Sequence, residues 1–152
     1  MARPEDSFSP AHTVTDSEYA YVAVDLGAST GRVMLGILTD DRVELEECRR
    51  FETPLYEEED HLFWDLETII DEVGEGVRTA LQRQPDVRSV SVDSWGVDYV
   101  RLDERGDPLR DPYSYRDDRT ETVMEAALEQ VDRAEIYEAT GIQFMPINTL
   151  YQ

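Results

Sequence analysis

The sequence predicts a mixed α/β layer fold, and three observations carry that expectation. Short apolar, strand-like runs follow one another with only brief turns between them. A single long helical stripe then interrupts them, and a further apolar run comes after it. Three sequential strands, a helix and a fourth strand make a sheet with a helix against it.

The elements follow in order. Residues 1–18, MARPEDSFSPAHTVTDSE, are polar, hold two prolines and lack the apolar centre of a signal peptide, so a disordered tail is expected. Ala20 to Val24 makes a first strand and Arg32 to Leu38 a second, joined by a turn built almost wholly of small residues. Two aspartates at 40–41 mark the next turn, and Val43 to Phe51 alternates well enough for a third strand. Short connections suggest an antiparallel meander. Residues 57–61, EEEDH, read as a solvated loop. Asp65 then stands where an N-cap belongs, ahead of an apolar stripe at Leu66, Ile69, Ile70, Val73, Val77, Ala80 and Leu81. Gly74 and Gly76 each cost such a helix about 1 kcal/mol against Ala, which close packing on a sheet would explain. Pro85 ends the helix. Val87 to Val92 reads as a fourth strand and Val97 to Leu102, after DSWG, as a fifth. Thr120 to Val131 and Arg133 to Thr140 are helix candidates, the second stopped by Gly141. Asn148 or Thr149 takes the place of an N-cap, and the sequence stops at Gln152, so an incomplete domain is expected.

Composition bounds the partners. The 152 residues are one domain's worth of chain, and 40% apolar content is enough for a core. Asp and Glu number 35 against 14 basic residues, all of them Arg, for a net charge of −21. Self-repulsion on that scale strains a compact fold unless counterions screen it. Salt near molar shortens the Debye length to about 3 Å, which points to a halophile's cytoplasmic protein. An acidic protein from a GC-rich genome is the alternative, since such a genome also favours Arg codons. Nucleic acid and anionic membranes are excluded as partners on electrostatic grounds. Cys48 is alone, so no internal disulfide forms, and on a strand amid acids it reads as packing rather than nucleophile. His12 and His61 lack paired metal-ligand spacing. No apolar run approaches transmembrane length.

The chemistry concentrates in the first turn. Gly27 and Gly31 permit close approach of backbone, Ser29 and Thr30 add hydroxyl donors, and Arg32 offers a fork that fits phosphate oxygens. Asp25 would repel a bare phosphate but could hold a water of a Mg²⁺ that bridges phosphates. An acid beside an amide-rich turn therefore suits a metal-nucleotide better than a free anion. A Walker loop needs Lys, which the chain lacks, and a dinucleotide turn opens a helix where this one opens a strand. A strand–turn–strand phosphate loop and a plain hairpin turn both remain.

Taken together, AVDLGASTGRVML, SVDSWGVDYVRLD, YRDDRT and TGIQFMPINTLYQ resemble the rhamnulokinases, from about Tyr21 to Gln152. These belong to the FGGY carbohydrate kinases, within the actin-like ATPase superfamily. The resemblance implies an actin-like ATPase (ribonuclease H-like) mixed sheet, with residues 19–152 forming an incomplete N-terminal domain. It implies transfer of the ATP γ-phosphate to the 1-hydroxyl of L-rhamnulose with Mg²⁺. By the same resemblance Ala28, Ser29, Thr30, Gly31 and Arg32 form the nucleotide-phosphate loop, Asp25 falls on the metal-linked acid and Gly96 on the sugar-binding position. Trp95 is either a wall for the sugar ring or a core residue. Arg116, Asp117 and Arg119 border the sugar site or form structural ion pairs. The family's general base and adenine-binding half would lie beyond Gln152, so no catalytic residue is expected in this chain. Rival expectations are another FGGY sugar kinase, a nucleotide-binding fragment without turnover, and a glycosidase, for which no carboxylate pair flanking a cleft can be identified.

Overall fold

The computed structural model describes residues 18–39 and 41–152, so nearly all of the expected tail, His12 and Asp40 lie outside the described residues. Strands β1 (Tyr19–Leu26), β2 (Thr30–Leu38) and β3 (Val43–Glu52) form the expected antiparallel meander. A hairpin of β4 (Leu55–Glu58) and β5 (His61–Trp64) follows, then helix α1 (Leu66–Arg83) and strand β6 (Val87–Ser94). Strand β6 returns parallel to β1, giving a four-stranded mixed sheet in the order β3-β2-β1-β6.

Strict alternation builds the core. Ala20, Val22 and Val24 of β1 are buried while Tyr21 and Ala23 are exposed, and Val33 and Leu35 of β2 lie on the buried face with them. Helix α1 covers that face. The Asp65 carboxylate accepts from the Thr68 amide at 3.0 Å, satisfying one of the orphan donors of the first turn. The two helix glycines divide. A Cβ on Gly76 would overlap Val33 and approach the Arg49 Cβ at 2.9 Å, whereas Gly74 has nothing within 4 Å. Gly76 is thus the point where helix and sheet touch backbone to side chain. Beside it, Arg49 of β3 forks onto Glu72 of α1 at 2.5 and 3.0 Å and holds that carboxyl below its usual range.

Two expectations change and a third holds. EEEDH is the tip of the β4–β5 hairpin: Glu59 and Asp60 adopt positive φ values of 52° and 65°, the two-residue turn that matches strand twist. Burial of Phe63 and Trp64 on β5 drives the pairing. Val97 to Leu102 is not a strand but an irregular segment, because Asp98 turns inward to hydrogen-bond partners that a ladder would forbid. Finally, the C-terminal residues form a 3₁₀ turn, Thr149–Tyr151, with Asn148 at its N-cap position. Further along the chain, a 3₁₀ turn at Asp118–Thr120 leads into α2 (Val123–Gln130), and α3 (Arg133–Thr140) ends at Gly141, whose φ is 64°.

Candidate functional site

The carboxyl ends of the parallel pair β1 and β6 lie side by side, with Leu26 opposite Ser94. Crevices outside such strand ends are where open α/β sheets place ligands. Two chain segments leave there: the small-residue loop after β1 and the Trp95–Asp98 turn after β6.

The loop is narrow because its neighbours demand it. The Gly27 amide donates to the Thr30 carbonyl at 3.0 Å, and Thr53 closes the far side by donating its hydroxyl to the Gly27 carbonyl at 2.7 Å. A Cβ at Gly27 would press on the Thr30 carbonyl, and one at Gly31 would enter the Phe51 ring. Neither glycine has positive φ, so each is required for close approach and not for an unusual backbone conformation. Among the described residues, no acceptor engages the amides of Ala28 and Ser29. Ser29 is exposed and Ala28 half-buried, so the turn reaches the surface at these two residues.

Charge runs across the sheet beside the loop. Asp25 is opposite Arg32 on one side and Asp93 on the other, and Arg32 is in turn opposite Arg50. Arg32 donates directly to the Asp25 carboxylate. The arginine expected to reach phosphate is therefore held by the acid expected to reach metal.

Trp95 and Gly96, adjacent in sequence, face different ways. Trp95 packs on the core against the buried Trp64, ring centroids 4.6 Å apart. Gly96 borders a cavity of about 220 Å³ with Gln143, Phe144 and Asn148, bringing the GIQF and NTLYQ stretches to this turn. A Cβ on Gly96 would meet nothing within 4 Å, so packing does not require glycine there.

Arg116 reaches the loop, donating to the Ala28 carbonyl at 3.2 Å and to Ser29 Oγ at 3.4 Å. Asp117 is buried and structural: it accepts from the Leu62 amide at 2.7 Å, the Arg119 amide at 3.1 Å and His61 Nδ1 at 3.2 Å. Burial alone would raise its carboxyl, but those hydrogen bonds and the Arg119 side chain outweigh burial and hold it below the usual range. Arg119 passes on to the Gln152 side-chain carbonyl at 2.8 Å. Asp98 and Gln143 escaped sequence reasoning as single residues, and Asn148 was read only as an N-cap. Only Asp98 carried a local signal, three residues after Trp95, and its second indole partner is 34 residues away.

The mixed sheet, with a closed small-residue loop at the ends of its parallel pair, is a fold that comparison with known proteins finds among the carbohydrate kinases. Residues 20–152 match the N-terminal domain of the FGGY family of carbohydrate kinases. The chain belongs to that family. It is 39% identical over 132 residues to the rhamnulokinase of Bacillus subtilis (strain 168), covering 87% of this chain and 27% of that one. Against the rhamnulokinase of Pectobacterium atrosepticum the identity is 47% over 135 residues, covering 86% and 27%. The chain thus spans about a quarter of the length of these curated relatives, at 27%. In fold it is similar to the gluconate kinase of Lactobacillus acidophilus, at a TM-score of 0.72 and 17% identity over 89% of this chain and 27% of that one. Among the described residues no helix is long and apolar enough to cross a membrane.

Proposed function

We propose that this chain supplies the phosphate loop and part of the sugar site of an ATP-dependent, Mg²⁺-requiring cytoplasmic kinase that phosphorylates L-rhamnulose at its 1-hydroxyl. The observation that carries this reading is the pair of unengaged amides at Ala28 and Ser29, at strand ends, in a chain up to 47% identical to rhamnulokinases. Phosphoryl transfer is mostly positioning and electrostatic stabilisation, so fixed backbone donors are what a protein must provide. In this reading Ala28, Ser29 and Thr30 donate to phosphate oxygens, Gly31 keeps the loop low over Phe51, and Arg32 extends the cradle. Asp25 fits a hydrated divalent cation: its carboxylate is about half exposed and already holds a cation, the Arg32 guanidinium. A bound metal would neutralise charge between the phosphates. Gly96 leaves room for the sugar, with Trp95 fixing the turn from behind. No residue of this chain is assigned the general base.

The net charge of −21 supports a protein adapted to high salt within the same reading. The test is titration with ATP in the presence of Mg²⁺ and, in a complete kinase that carries this portion, ADP release on addition of L-rhamnulose. Asp25→Ala should weaken Mg-ATP binding by at least tenfold. Unchanged binding in that variant would remove the loop assignment.

A further inference from the structure

The Asp98 carboxylate draws four separate parts of the chain to a point. Its Oδ2 accepts from Trp64 Nε1 at 2.6 Å, Trp95 Nε1 at 2.8 Å and the Tyr115 amide at 3.3 Å. Its Oδ1 accepts from Gln152 Nε2 at 3.1 Å. The donors come from the end of β5, the residue after β6, the segment leading to the loop-binding Arg116, and the C-terminal turn. An indole has a single polar handle, so one acceptor sets its orientation. A charged acceptor sets it about twice as firmly as a neutral one.

The backbone needs this anchor. The segment from Trp95 to Arg101 lies outside any strand or helix, so no ladder fixes it. On one side, the Asp98 side chain ties it to the two indoles. On the other, the Val97 carbonyl accepts from Thr149 Oγ1 at 2.5 Å and from Gln152 Nε2 at 3.0 Å. Between those clamps Gly96 is left bare beside its cavity. A turn restrained on both flanks and open at its middle residue is preorganised to receive a ligand at that residue.

We infer that Asp98 is a positioning residue for sugar recognition. Through the Trp64–Trp95 pair and Gln152, it holds the turn that presents Gly96 to a small polyhydroxylated substrate. This rests on the kinase reading, with the sugar at Gly96. Asp98 itself turns toward the core side and acts through its partners.

The two indoles are the only tryptophans in the sequence, so tryptophan emission reports on this cluster alone, and the indole bands of the near-ultraviolet circular dichroism report on it beside the signals of eight tyrosines. The full chain, Asp98→Asn and Gln152→Ala are compared, each with L-rhamnulose and separately with Mg-ATP as titrants. Asp98→Asn keeps an oxygen for the indoles but sets an amide NH₂ against that of Gln152. Gln152→Ala loosens the turn and leaves both indole bonds intact. The expected result is a changed near-ultraviolet spectrum in Asp98→Asn and an unchanged one in Gln152→Ala. Both variants should lose affinity for L-rhamnulose by about tenfold or more, with Mg-ATP affinity retained within about twofold. A merely structural Asp98 would instead lower the melting temperature and weaken both ligands together, overturning the inference. Equal sugar affinity in all three proteins, or no sugar binding by the unaltered chain alongside normal Mg-ATP binding, overturns it too and spares the loop assignment. Loss of Mg-ATP binding in the unaltered chain is the separate failure, that of the kinase reading.

Discussion

Helix α1 carries two glycines two residues apart, and the structure assigns opposite signs to the same substitution at each. Replacing Gly by Ala inside a helix gains about 1 kcal/mol when nothing else changes. At Gly74 nothing else changes, since no atom lies within 4 Å of the new methyl. At Gly76 the methyl would stand 2.6 Å from the Val33 Cβ and 2.9 Å from the Arg49 Cβ. Those are atoms of the sheet's own frame, and Val33 is fully buried, so no side-chain rotation clears the space. The helix must lift from β2 and β3, and overpacking of that kind costs about 1–3 kcal/mol. Because the overlap is with β-carbons, the upper half of that range applies, leaving a net loss of about 1–2 kcal/mol. For a domain of this size 1 kcal/mol moves the melting temperature by about 3–5 °C. Gly74→Ala should therefore melt about 3–5 °C above the parent and Gly76→Ala about 3–10 °C below it, in matched thermal scans at one KCl concentration. If Gly76→Ala melts higher than the parent, the close contact between α1 and the sheet is wrong.

Gly96→Ala should leave stability within about 0.5 kcal/mol, because the methyl enters open space, yet weaken L-rhamnulose binding severalfold by occupying the substrate's approach. Equal affinity would move the sugar elsewhere. Asp117 carries a depressed folded pKa, so its stabilisation is present above the unfolded carboxylate value near 3.9 and is lost as pH falls through the folded value. Asp117→Asn should consequently flatten the acid limb of a melting-temperature profile below about pH 4, while an unchanged slope would place the acid sensitivity in other carboxylates. Raising KCl toward molar should raise the melting temperature, since screening relieves the net charge of −21, and a falling value would end the high-salt reading.

How much of this was legible in the sequence depends on the range over which each feature is decided. The meander and α1 follow from local periods, and Asp65 marks the helix start with its own side chain. The β4–β5 hairpin was hidden because Glu59 and Asp60 resemble solvated loop residues and reveal a turn only once Phe63 and Trp64 find a core. Val97 to Leu102 has a strand's apolar residues, but the indole of Trp64, far away in the chain, decides where Asp98 goes. The small-residue turn proposed to hold phosphate was visible because smallness is a local property. Its geometric reason was not: Phe51, twenty residues downstream of Gly31, supplies the ring that excludes a Cβ.

The pairing of Arg32 with Asp25 changes what the loop requires of its ligand. The two are directly opposed in the antiparallel register of β1 and β2, with a second acid, Asp93, beside Asp25. A bare phosphate arriving at Ala28 and Ser29 could recruit Arg32 only by leaving two neighbouring carboxylates unopposed, and like charges at that spacing resist it. In the kinase reading a metal-bound nucleotide would remove the conflict, with Asp25 holding the cation and Arg32 the phosphates. Each charged group then exchanges one partner for another of the same sign, with no unpaired charge left in the closed turn. In the kinase reading the ion pair is thus a lock against free anions. ATP in the presence of a chelator should bind at least tenfold more weakly than Mg-ATP, whereas inorganic phosphate alone should not compete with either. Strong phosphate binding without metal would show that Arg32 is free to leave Asp25, and the exchange argument would fail.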